Sequence, residues 1–142
     1  MKVANLTIKG KDIKRIISIL SEDKSVYYGD KPHIYKTKNL VVLMREDYYY
    51  RISSTLMAVI ILNFKSDIEV DIELVVSGGK SGGFMHSWGA EDSENRTIIK
   101  KIMEICNENS WEIISVIPED FKKTLTESTL DKYKNKILKR FK

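Results

Sequence analysis

The segment "TLMAVIILNFKSDIEVDIELVV", residues 55–76, decides how the rest of the chain is read. Its first part is apolar at both alternating sets, Leu56, Ala58, Ile60 and Leu62 on one and Met57, Val59 and Ile61 on the other. Its second part alternates strictly, with Asp67, Glu69, Asp71 and Glu73 opposed to Ile68, Val70, Ile72 and Leu74. Successive side chains of a strand point to opposite faces, so both parts read as strands with different surroundings. The first needs cover on both faces, from two layers or from one layer and a second subunit. The second turns a row of acids to water. The link "NFKSD" is short enough for a hairpin, which makes the two strands antiparallel neighbours.

Working outward, Val3 to Ile8 reads as a strand broken by Gly10. Ile13, Ile16, Ile17 and Leu20 then recur at the spacing of one helix face. "VYYGDKPHIY" reads as strand, turn and strand, with His33 exposed in the turn; Leu40 to Met44 is a further strand that "RED" turns or kinks before Tyr48 to Ile52 resumes it. "FMHSW" at 84–88 reads as another short strand. A helix capped by Asp92 or Ser93 carries Ile98, Ile99, Ile102, Met103 and Cys106 as its apolar stripe. Trp111 to Ile117 closes the strands, and 119–141 reads as a basic amphipathic helix with a break near Ser128. The expected fold is α+β: an antiparallel sheet of about five to seven strands with helices mainly on one face, in the order β-α-β(several)-α-β-α. With no repeat and no linker, 1–142 reads as one domain.

Composition narrows the functional classes. Hydrophobic residues make up 42% and charged residues 31%, the balance of a globular chain. No run reaches the ~18 apolar residues of a membrane span, and the start of the chain reads as a strand rather than an export signal. One cysteine, Cys106, fits a reducing compartment, so a cytoplasmic location is expected. The formal charge of +4 is uneven: residues 119–142 hold eight basic and four acidic residues, and residues 1–118 are neutral. Attraction to nucleic acid or an anionic surface would therefore act through that last segment. Lysine on the outer face of an amphipathic helix is also ordinary solvation, so nucleic acid is not the favoured partner.

The stretch "GGKSGGFMHSWGAED", residues 78–92, gathers most of the glycines with His86 and Trp88. A phosphate-binding loop of the Gly-x-x-x-x-Gly-Lys-Ser type would need glycine five residues before Gly79, where Leu74 stands, and a helix start after Ser81, where Gly82-Gly83 follow. A hairpin loop at Gly78, Gly79, Lys80, Ser81, Gly82 and Gly83 explains the composition better. Such a loop leaves bare backbone N–H groups that suit a small anionic ligand beside Lys80. "SGGKSGGFMHSWGAE" followed by a helix resembles a glycine-rich motif of small prokaryotic proteins of unknown function; the resemblance implies a compact α+β domain and no activity.

Catalytic candidates are His86 with Glu91 as an acid–base pair, near Lys80 for an anionic substrate. Two histidines and one cysteine far apart do not form a zinc site, and no metal or cofactor is expected. The acids on the alternating strand read as a solvated face paired with Lys36, Lys38, Arg45 or Arg51 on neighbouring strands. The reading that follows is a binding module, not an enzyme. It would act by self-association, as a homodimer, along the apolar sheet or by holding a small ligand at the glycine loop. An enzyme using His86, Glu91 and Lys80, and nucleic-acid binding through the basic tail, are the alternatives.

Overall fold

A computed structural model of the chain describes residues 1–22, 31–49, 54–78 and 90–118. The elements are β1 (Lys2–Lys9), a 3-10 turn (Ile13–Arg15) running into α1 (Ile16–Glu22), β2 (His33–Lys36), β3 (Leu40–Tyr49), β4 (Ser54–Ser66), β5 (Glu69–Gly78), α2 (Ala90–Glu108) and β6 (Glu112–Ile117). Strands β2-β3-β4-β5-β1-β6 form, in that order, one six-stranded sheet in which every pairing is antiparallel. The hairpin between β4 and β5 is tighter than its sequence implies, since only Asp67 and Ile68 turn the chain. β1 reaches the sheet late in space though first in sequence. It lies between β5 and β6, with Ala4, Leu6 and Ile8 opposite Leu74, Ile72 and Val70.

Register assigns the two faces. On one lie Leu56, Ala58, Ile60, Leu62 and Phe64 of β4, Val41 and Leu43 of β3, Val70, Ile72, Leu74 and Val76 of β5, and Ala4, Leu6 and Ile8 of β1, all buried. Most of these join Ile13, Ile16 and Leu20 from the first helical segment and Ile98, Ile99, Ile102, Ile105 and Cys106 from α2 in one hydrophobic cluster. α2 contacts β5, β1 and β6. The i, i+3, i+4 spacing of its isoleucines makes one continuous stripe, which is why the helix beds there from Ile98 to Cys106.

Three sequence expectations change. β3 is not turned or kinked at Arg45-Glu46-Asp47 but continues to Tyr49, paired with β4 throughout. The charged residues are accommodated because Arg45 is drawn inward and Glu46 faces water. α2 starts at Ala90, ahead of the expected caps at Asp92 or Ser93, so those residues lie inside its first turn. His33 is exposed as expected, yet it opens β2 instead of lying in a turn. The expected strands at 26–28 and 84–88 and the expected helix at 119–141 lie outside the described residues. Among the described residues no helix is long and apolar enough to cross a membrane.

Candidate functional site

Of the glycine-rich candidates, only Gly78 lies among the described residues. It ends β5 with φ of 125°, a conformation that L side chains rarely adopt, and a Cβ there would stand 2.6 Å from the carbonyl oxygen of Thr55. Gly79, Lys80, Ser81, Gly82, Gly83 and His86 lie outside the described residues. Glu91 belongs to the first turn of α2. No described feature brings Lys80, His86 and Glu91 together.

Two features stand out: a buried polar pair that no expectation named, and the second apolar set of β4 on which the expected self-association rests. The first is polar and buried. Arg45 of β3 and Glu94 of α2 are each only 8% exposed, and Arg45 Nη2 donates to Glu94 Oε1 across 49 residues of sequence. Arg45 faces inward because it follows Val41 and Leu43 in the buried alternation of β3. Opposite it stands Ala58, the smallest core residue of β4, which leaves room for a guanidinium. The expected role of Arg45 as a surface partner for the acids of β5 is therefore wrong. Beside Glu94, Asn95 is 0% exposed, and among the described residues neither atom of its amide has a hydrogen-bond partner. A buried amide left unsatisfied costs ~1–3 kcal/mol.

The second feature is the other face of the sheet. Register lines up Val3, Val75, Val59 and Met44 as one apolar band across β1, β5, β4 and β3. On one side of it stand Ser77, Met57 and Glu46; on the other stand Asn5, Glu73, Ile61, Val42 and Tyr35. Met57 is 47% and Val3 40% exposed, while Val59, Ile61, Val75, Val42 and Met44 are half-buried. The second apolar set of β4 thus shares its face with the acidic row of β5. Charge pairing on this face differs from expectation. Asp71 accepts a hydrogen bond from Thr7 Oγ1 at 2.9 Å and lies 3.7 Å from Lys65 Nζ. Asp67, in the turn, lies 3.4 Å from Lys14. Neither Glu46 nor Glu73 has an ion-pair partner among the described residues.

Other chemistry is sparse. A shallow open depression is lined by Asp12, Lys14, Arg15 and Asp67. Among the described residues no three His, Cys, Asp or Glu side chains converge as a metal site would need. Cys106 is buried, and burial pushes its thiol from 9.0 up to about 12. A neutral thiol is a poor nucleophile, so Ellman's reagent at pH 8 should label the unfolded chain and spare the folded one. The sign of the linkage follows. The folded state keeps this proton between pH 9 and pH 12, where an unfolded chain loses it, so the stabilisation is complete below pH 9 and declines as pH rises above it, by at most ~1.4 kcal/mol per pH unit. Cys106→Ala should therefore show a deficit in urea unfolding at pH 8 that shrinks by pH 10.5. An unchanged deficit would contradict the burial argument.

No family model, no curated protein and no solved structure matches this chain.

Proposed function

We propose that the chain is a binding module rather than an enzyme, and that it acts by joining a second copy of itself through the open face of the sheet. The observation that carries this reading is the apolar band Val3–Val75–Val59–Met44 with Met57 and Ile61 beside it, left half-exposed on the side away from the buried cluster. Scattered exposed apolar residues are normal on a soluble surface, whereas a contiguous patch marks an interaction site. Strands of four to thirteen residues, ~4.8 Å apart and rising ~3.4 Å per residue, give a six-stranded face on the order of 800 Å². That is the share one partner contributes to a standard stable interface.

The layering belongs to the same reading: helices cover one face and the second copy covers the other. A small ligand held near Gly78 to Gly83 is the second reading, supported by the buried amide of Asn95, which has no hydrogen-bond partner among the described residues. Against an anionic ligand there, the sequence at the start of α2 holds Glu91, Asp92 and Glu94. No described residue favours the enzyme reading of His86, Glu91 and Lys80 or the nucleic-acid reading.

Light scattering tests the proposal. The wild type should show twice its 16.4 kDa chain mass at micromolar concentration. Val59→Lys should weaken the dimer at least tenfold with an unchanged circular dichroism spectrum, because residue 59 stands in the middle of the open face. A monomeric wild type overturns the reading.

A further inference from the structure

Resting on the self-association just proposed, we infer that the part of the second copy that enters the open face is its basic C-terminal segment, residues 119–142, exchanged reciprocally between the two copies. The argument begins with charge. Glu46 and Glu73 stand on opposite sides of the apolar band and have no ion-pair partner among the described residues. Two sheets packed directly face to face would carry four such carboxylates into one interface. Each carboxylate removed from water without a cation costs several kcal/mol, and like charges brought together add to that cost.

The chain holds one source of excess positive charge. Residues 1–118 are neutral, while 119–142 carry eight basic and four acidic residues interleaved with Phe121, Leu125, Leu130, Tyr133, Ile137, Leu138 and Phe141. That composition matches the open face term by term: apolar residues for the band, lysines for Glu46 and Glu73. Length matches as well. Twenty-four residues of helix would span ~36 Å, against ~34 Å for a ten-residue strand. The segment also leaves the sheet at its rim, directly after β6 and Pro118.

The test uses full-length chains at 0.15 M salt. A face variant carries Glu46→Lys and Glu73→Lys; a tail variant carries Lys123→Glu, Lys132→Glu, Lys134→Glu and Lys136→Glu. Each alone should dimerise at least tenfold more weakly than the wild type. Mixed, they should form a heterodimer at least tenfold tighter than either homodimer, because each face then meets a tail of opposite charge. Net charge alone is controlled by a chain with Glu22→Lys and Glu108→Lys, both exposed sites outside the open face. That chain should dimerise like the wild type and show no preference for the tail variant. If both variants still dimerise as the wild type does, the exchange is overturned and open-face association stands. If mixing fails to rescue two weakened variants, the tail serves its own chain and the exchange is overturned. A monomeric wild type removes both proposals.

Discussion

Arg45→Met should lower the folding free energy by about 3–5 kcal/mol, because it removes the guanidinium that donates to the buried Glu94 carboxylate. The two residues are equally buried and joined by a charge-assisted hydrogen bond between the middle of the sheet and the start of α2. Removing one partner breaks the pair while the other charge stays largely shielded from water. Removing both is a different experiment. Arg45→Met combined with Glu94→Leu fills similar volume with apolar atoms, and such replacements are often neutral or stabilising. The double variant should therefore return to within about 1 kcal/mol of the wild type in urea unfolding. The cycle separates two roles for the pair. A single-variant loss with recovery in the double means the pair is a cost balanced locally. A loss that persists in the double means the geometry of α2 against β3 depends on the ions. A single-variant loss under 1 kcal/mol would show that the pair is not buried in solution.

Much of the sheet was legible because strands announce their surroundings by alternation. The two apolar sets of β4 and the strict alternation of β5 identified neighbouring antiparallel strands, and register confirms the pair. What alternation does not reveal is which set of one strand shares a face with which set of the next. That depends on register, and a slip of one residue exchanges the faces. Here Ile61 stands opposite Glu73, and Val59 opposite Val75. The acids of β5 therefore border the second apolar set of β4, and the open face is mixed. Arg45 was misplaced for a related reason. Its position in the Val41–Leu43–Arg45 alternation pointed inward, but burying a guanidinium is affordable only with a carboxylate beside it, and Glu94 lies 49 residues away in sequence. Asn95 carried a legible signal: it precedes Ile98, Ile99 and Ile102 at the same helical spacing, so a polar residue at the head of an apolar stripe marked the buried amide. The glycine-rich candidates were singled out by composition, and apart from Gly78 they lie outside the described residues.

Gly10 carries the other large expected effect, and sequence alone marked it only as the end of a strand. A Cβ at this position would collide with Cδ1 of Trp111 and stand 2.9 Å from its Cγ. Neither side is free to retreat. The Gly10 N–H donates to the Ile68 carbonyl at 2.7 Å, which holds the end of β1 against the β4–β5 turn. Trp111 is buried, its indole N–H donates to the Lys11 carbonyl at 2.8 Å, and its backbone N–H donates to the Cys106 carbonyl at 2.8 Å at the end of α2. Gly10→Ala must therefore displace the indole or break one of these bonds. Overpacking of this kind costs ~1–3 kcal/mol, and a lost hydrogen bond adds ~1 kcal/mol. The expected total, ~2–4 kcal/mol, lowers the melting temperature by roughly 6–15 °C for a chain of this size. Trp111→Ala should cost ~3–5 kcal/mol by itself, as expected when a large buried aromatic is truncated. The two changes must not add, because the indole is what the new methyl meets. In the Trp111→Ala background, Gly10→Ala should cost less than about 1 kcal/mol, a coupling of ~2 kcal/mol between residues in contact. Equal costs in the two backgrounds would place the requirement for glycine in the backbone of residue 10 and not in its contact with the indole.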